Sequence, residues 1–115
     1  MPNSDHMPIT YNNKVMLELI GEDYEKIQQF QSEFLHQANV YFRKLVETYN
    51  QEQFDIVKQH AHFLKTSAKA IGAERTAYFL ATIEKYASNK DKPALKQLLL
   101  KLKIELTVLA EELNS

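Results

Sequence analysis

The chain has 115 residues, of which 44% are apolar and 25% charged, enough for one hydrophobic core in a single domain of ordinary globular composition. Fourteen Lys and Arg against fifteen Asp and Glu leave a formal net charge of −1, which argues against nucleic acid as a partner, because binding a phosphate backbone needs a basic excess or a strong patch. No cysteine is present, which removes disulfides, thiolate metal sites and thiol catalysis, and two glycines with three prolines leave little turn chemistry for a β-rich fold.

Residues 1–11 read as a flexible, largely polar lead in which His6-Met7 is a candidate tag remnant, and the domain proper covers residues 12–115. Hydrophobic periodicity then predicts five helices and no strand. A short one covers about Asn12–Ile20 and stops at Gly21. The second starts near Glu22 and Asp23, whose charges suit a helix N-terminus, and runs to about Tyr49 with Ile27, Phe30, Phe34, Leu35, Ala38, Tyr41, Phe42 and Leu45 at helical spacing. The third spans about Glu52–Ile71, and Gly72 permits a sharp change of direction before the fourth, about Ala73–Ala87. A Ser88-Asn89-Lys90-Asp91 turn leads to the last helix, where Pro93 fits the first turn and Leu95, Leu98, Leu99, Leu102, Leu106, Leu109 and Leu113 form the buried side. Short connections between long amphipathic helices favour antiparallel neighbours, so the expected fold is all-α: an antiparallel up-down four-helix bundle with a short additional N-terminal helix.

The third helix carries the chemistry. Phe54, Val57, Ala61, Leu64, Ala68 and Ile71 make a core stripe, whereas His62 lies on the other face with Lys58, Lys65 and Lys69 at i−4, i+3 and i+7. A histidine on a wet, lysine-lined face is poorly explained by packing. It suits a phosphohistidine, since a neutral imidazole is a nucleophile that needs no base and lysines balance phosphoryl charge. His60 points to a different face and His36 has no His or acidic partner at i+3 or i+4, so both read as structural. No His-Glu-x-x-His and no clustered carboxylates occur, hence no metal site is expected. Nor is there a Gly-x-x-x-x-Gly-Lys loop to cradle ATP, so self-phosphorylation from ATP is not expected.

The segment Ala61-His62-Phe63-Leu64-Lys65-Thr66-Ser67, followed by Ile71-Gly72-Ala73 and by Ile83-Glu84 on the next helix, resembles the signature of histidine-containing phosphotransfer (HPt) domains, which reads Ala-His-x-Leu-Lys-Gly-Ser and then Gly-Ala. The likeness extends over nearly the whole chain from about residue 12. It implies that His62 takes a phosphoryl group on Nε2 from a receiver-domain aspartyl phosphate and passes it to another receiver aspartate. It further implies that Lys65 offsets phosphoryl charge, with Lys69 and Lys58 more peripheral, and that Glu84 accepts a hydrogen bond from Nδ1–H. Gly72 and Ala73 belong to the helix-turn part of the signature. Thr66 departs from it: the family usually has glycine four residues after the histidine, on the same helix face. Threonine there adds a methyl and a hydroxyl that either crowd an incoming partner or bond a phosphoryl oxygen. Thr76, where the family tends to have leucine, reads as local repacking.

The resemblance implies a phosphotransfer intermediate and not an enzyme in the ordinary sense. Its partners are response-regulator receiver domains and a hybrid histidine kinase; it binds no cofactor itself, the divalent metal sitting in the partner receiver. Val15, Met16 and Leu19 on the first helix are candidates for partner docking. A monomer in the cytoplasm is expected, as no run approaches the roughly 18 apolar residues of a membrane span and no signal peptide is visible. The competing reading is a non-catalytic helical adaptor whose site has degenerated through Thr66.

Overall fold

Several helix boundaries in the computed structural model, which describes residues 7–114, fall at residues whose chemistry explains them. The helices are α1 (Lys14–Ile20), α2 (Tyr24–Asn50), α3 (Phe54–Ile71), α4 (Glu74–Ser88) and α5 (Lys92–Leu113), and no strand occurs among the described residues. The Asp23 carboxylate caps α2 by accepting from the Lys26 amide at 3.1 Å, and Asp91 caps α5 by accepting from the Ala94 amide at 3.1 Å. Helix α3 starts two residues later than the spacing predicts. Glu52 has φ +57°, a left-handed turn residue, so the helix begins only after Gln53. Lys90, in the corresponding turn before α5, has φ +54°, and Lys92 Nζ reaches Glu52 Oε2 at 3.0 Å, tying the two turns at one end of the molecule.

At the other end, Gly72 closes α3. Its φ of +90° lets the Gly72 amide bond the Lys69 carbonyl and the Ala73 amide bond the Ala68 carbonyl, the paired bonds of a Schellman stop. A Cβ on Gly72 would overlap the Asn12 carbonyl oxygen, so this glycine serves both the turn and the close passage of a second strand of backbone.

Helix α3 packs against α2 and α4, and α5 packs against α4 and α2, leaving α3 and α5 diagonal across a four-helix bundle, with α1 laid against α2 and α3. Leu45, Val57, Ala61, Leu64, Ala68, Leu95, Leu102 and Leu109 of the expected stripes are fully enclosed, together with Leu80 and Ile83 of α4, for which the sequence reading gives no stripe. Each buried Leu, Ile or Val contributes about 1.5–3 kcal/mol relative to exposure, so the bundle does not depend on polar contacts for its existence.

Several expectations need correction. Phe30, placed on the inner stripe, is 41% exposed, although Ile27, nearer the α2 N-terminus, is buried. Residues 7–11, read from the sequence as part of the lead, are held on the bundle: Met7 packs against the core, Thr10 is buried, and Tyr11 accepts a hydrogen bond from Gln31 at 2.8 Å. Arg75 holds this stretch by donating from Nε to the Pro8 carbonyl (2.8 Å) and from its amide to the Ile9 carbonyl (2.9 Å), while the Asn12 amide bonds the Gly72 carbonyl (2.8 Å). Residues 1–6, including His6 of the candidate tag remnant, and Ser115 lie outside the described residues. Glu105, which the sequence reading did not single out, sits on the leucine-lined side of α5 and is only 4% exposed.

Candidate functional site

Helix α3 separates two environments. Val57, Ala61, Leu64 and Ala68 on its inner face have no exposed surface, while the His62 side chain is 66% exposed on the outer one. Next to α3 runs α4, whose Leu80 and Ile83 are locked in the core. Glu84, adjacent to Ile83, is thereby turned toward the seam between the helices. Its Oε1 lies 3.0 Å from His62 Nδ1 and its Oε2 lies 2.6 Å from Lys65 Nζ.

The charge state follows from these neighbours. Partial burial pushes the Glu84 carboxyl up, but hydrogen bonds and charge from Lys65 and His62 outweigh it and hold the group below the usual carboxylate range. An ionised carboxylate only accepts hydrogen bonds, so the 3.0 Å contact puts the proton on Nδ1. In a neutral imidazole of that tautomer the reactive lone pair is on Nε2, for which no protein partner occurs among the described residues.

An open cavity of about 480 Å³ lies over the ring, lined by Lys58, Gln59, His62, Phe63, Thr66, Ser67 and Glu84. The structure thus brings Lys58, His62, Thr66 and Glu84 to one place, with Lys65 beside them but 18% exposed and committed to Glu84. Lys58 is exposed and in no ion pair among the described residues. Lys69 is elsewhere, lining a separate depression with Pro8, Glu74 and Tyr78. Thr66 Oγ1 donates to the His62 carbonyl at 3.2 Å. With its proton used along the helix, the hydroxyl is not offered as a donor to the cavity that Thr66 lines.

One wall of the cavity was missed in the sequence. Phe63, 48% exposed, stacks on Tyr41 of α2 with ring centroids 5.0 Å apart, and Tyr41 in turn meets the His60 ring edge-on at 5.5 Å. Lys44 Nζ lies 4.7 Å from the Tyr41 ring centre. Burial, with the Lys44 charge, lowers the His60 pKa and favours its neutral form. The available signal was position: Phe63 follows the histidine directly, so it cannot share the core stripe of Ala61 and Leu64.

Gly72 and Ala73 lie at the far end of α3 and touch no part of the cavity; they set the angle at which α4 returns. The α1 docking candidates divide. Met16 is 3% exposed and belongs to the core, and Val15 is half-buried beside Gly72, so neither offers a free surface of any size. Leu19, at 68% exposure, does. Among the described residues no group of three or more His, Cys, Asp or Glu is arranged to hold a metal ion, and no helix is long and apolar enough to cross a membrane.

The Hpt domain family model matches residues 29–112, a span that contains both His62 and Glu84. The crystal structure of histidine-containing phosphotransfer protein B (HptB) from Pseudomonas aeruginosa PAO1 superposes with a TM-score of 0.84 over 91% of each chain, at 14% sequence identity, and so shows the same fold. No curated protein sequence matches this chain.

Proposed function

The chain belongs to the Hpt domain family, carriers of phosphoryl groups in phosphorelay signalling, and from that premise we propose that His62 is the residue that takes up and returns the phosphoryl group. The observation that carries this reading is the His62–Glu84 contact on an exposed helix face, which leaves Nε2 as the free nitrogen.

In the proposed step Nε2 attacks the phosphorus of an aspartyl phosphate on a receiver domain. The N–P bond forms as the bond from phosphorus to the aspartyl oxygen breaks, and the electron pair leaves with the aspartate carboxylate. Glu84 balances the positive charge that grows on the ring through Nδ1–H, and Lys65 keeps Glu84 ionised. Lys58, at the cavity rim, faces the phosphoryl oxygens with its charge unspent. Transfer to a second receiver is the same step in reverse. The divalent metal of that reaction belongs to the receiver's acidic pocket, and the partners are response-regulator receivers, one of them carried by a hybrid histidine kinase. No ATP site is part of this reading, and the setting is the cytoplasm.

The test is to mix the chain with a receiver phosphorylated on its aspartate, next to a His62→Ala copy, and follow acid-labile, base-stable phosphate on each. Label on the wild type alone is the expected result. If several receivers that load other Hpt domains load neither copy, the proposal fails and a non-catalytic adaptor takes its place.

A further inference from the structure

Helix α5 is apolar on two faces. Leu95, Leu99, Leu102, Leu106 and Leu109 enter the core, yet Leu100, Ile104 and Val108, at i, i+4 and i+8, are 50%, 65% and 38% exposed in one line. The other large apolar side chains at the surface are scattered over α1, α2, α3, α4 and the N-terminal segment, and single exposed residues of that kind need no explanation. A line of three on one helix does.

The flanking charges indicate what covers it. Lys96 lies eight residues before Ile104 and Glu111 seven residues after it; both are exposed, and neither is in an ion pair among the described residues. When α5 is laid antiparallel on a second α5, with the two-fold axis at Ile104, the two Ile104 side chains meet and Leu100 of each copy lies level with Val108 of the other. Lys96 of each then lies within one residue, about 1.5 Å along the axis, of Glu111 of the other. A parallel pairing sets Lys96 beside Lys96 and Glu111 beside Glu111, which repels. The stripe is therefore complementary to itself in the antiparallel sense, the condition for an isologous contact.

We propose that this outer face of α5 is a two-fold self-association surface whose occupant is a second copy of the chain. A single helix pair covers less than the roughly 800 Å² per partner of a standard interface, so the dimer is weak and forms at high concentration or when two copies are held near each other. Because α5 lies diagonal to α3, both His62 sites stay open in the pair. The expectation of a monomer then holds at low concentration only.

Sedimentation equilibrium of the full chain between about 5 and 500 µM, a range chosen for a contact below standard size, tests this. Wild type is expected to gain mass toward a dimer across the range, and Ile104→Glu, which sets two like charges at the axis, is expected to stay a monomer throughout. Lys96→Glu and Glu111→Lys each weaken association, roughly 3- to 10-fold, and the two together in one chain restore it. All three positions are exposed, and a circular dichroism spectrum checks that the variants fold. A wild type that stays monomeric at the top of the range, an Ile104→Glu that dimerises as well as wild type, or a double variant weaker than either single one overturns the proposal.

Discussion

Two carboxylates, Glu84 on α4 and Glu105 on α5, sit near cations in the same small bundle and are driven in opposite directions. Glu84 stands at the solvent edge, where Lys65 and His62 reach both of its oxygens and hold it ionised. Glu105 is enclosed beneath the N-terminal segment. Burial raises its pKa; the Thr10 side chain and the Arg75 charge offset this only in part, the Glu112 charge adds to it, and Oε2 has no hydrogen-bond partner among the described residues. The difference is between a place that keeps a charge available for chemistry and a place that uses polar groups to fasten backbone. Around His62 the polar side chains face an open cavity and the fold gains little from them. Around Gly72, Arg75 and Glu105 they close residues 8–12 onto the bundle and face no cavity that contains the histidine.

That contrast predicts activity without stability on one side and stability without activity on the other. His62→Gln should remove phosphoryl uptake completely while changing the unfolding free energy by no more than about 0.5 kcal/mol, measured by labelling and by urea denaturation. A large loss of stability would show that the ring is part of the packing. Gly72→Ala should do the opposite. Its left-handed φ and the overlap with the Asn12 carbonyl should cost about 2–4 kcal/mol, with uptake per folded molecule unchanged. Glu84→Ala should leave the fold in place and slow uptake about 10- to 100-fold, the usual range for removing the partner that orients a working histidine. Thr66→Gly should open the cavity at a cost of about 1 kcal/mol in helix stability, and faster uptake from a receiver would identify the threonine methyl as the obstacle.

The smallest effect separates the two carboxylates by pH. The raised pKa of Glu105 means that the folded state binds its proton more tightly than the unfolded chain does. Its contribution is therefore fully present below the ordinary value of 4.5 and is lost as pH rises through the raised folded value. Glu84, lowered, contributes above 4.5 and loses that contribution as pH falls through its folded value. Glu105→Gln should accordingly be more stable than wild type at pH 7, with the advantage closing as pH approaches 4.5, in denaturation curves taken at a series of pH values.

The helices and the two faces of α3 were legible because they depend on spacing within one segment. Val57, Ala61, Leu64 and Ala68 announce an inner face, and that alone leaves His62 outside. Glu84 was legible only through resemblance, since nothing in its own surroundings marks it as the partner of a residue 22 positions earlier. The set of contacts that closes residues 8–12 onto the bundle was not legible. Its members Pro8, Ile9, Thr10, Gly72, Arg75 and Glu105 come from three distant stretches, and a polar N-terminal segment with two prolines carries no period from which docking can be read. Met16 and Leu19 show the same limit at short range: three residues apart on a seven-residue helix, one is core and one is free, and only the neighbours in space decide which. The resemblance gives Lys65 the part of offsetting phosphoryl charge, and which group it meets in the fold was not legible. Its ammonium lies against Glu84, because residue i+3 leans toward the α4 seam that Glu84 occupies.

The central claim is that Glu84 fixes the His62 proton on Nδ1 and so directs the phosphoryl group to Nε2. Long-range ¹H–¹⁵N NMR spectra of the imidazole rings, recorded before and after loading from a phosphorylated receiver, measure this directly. The expected result is an Nδ1–H tautomer at His62 before loading and phosphorus coupling at Nε2 of that ring alone afterwards. Phosphorylation at Nδ1 of His62, or on His60 or His36, would contradict it.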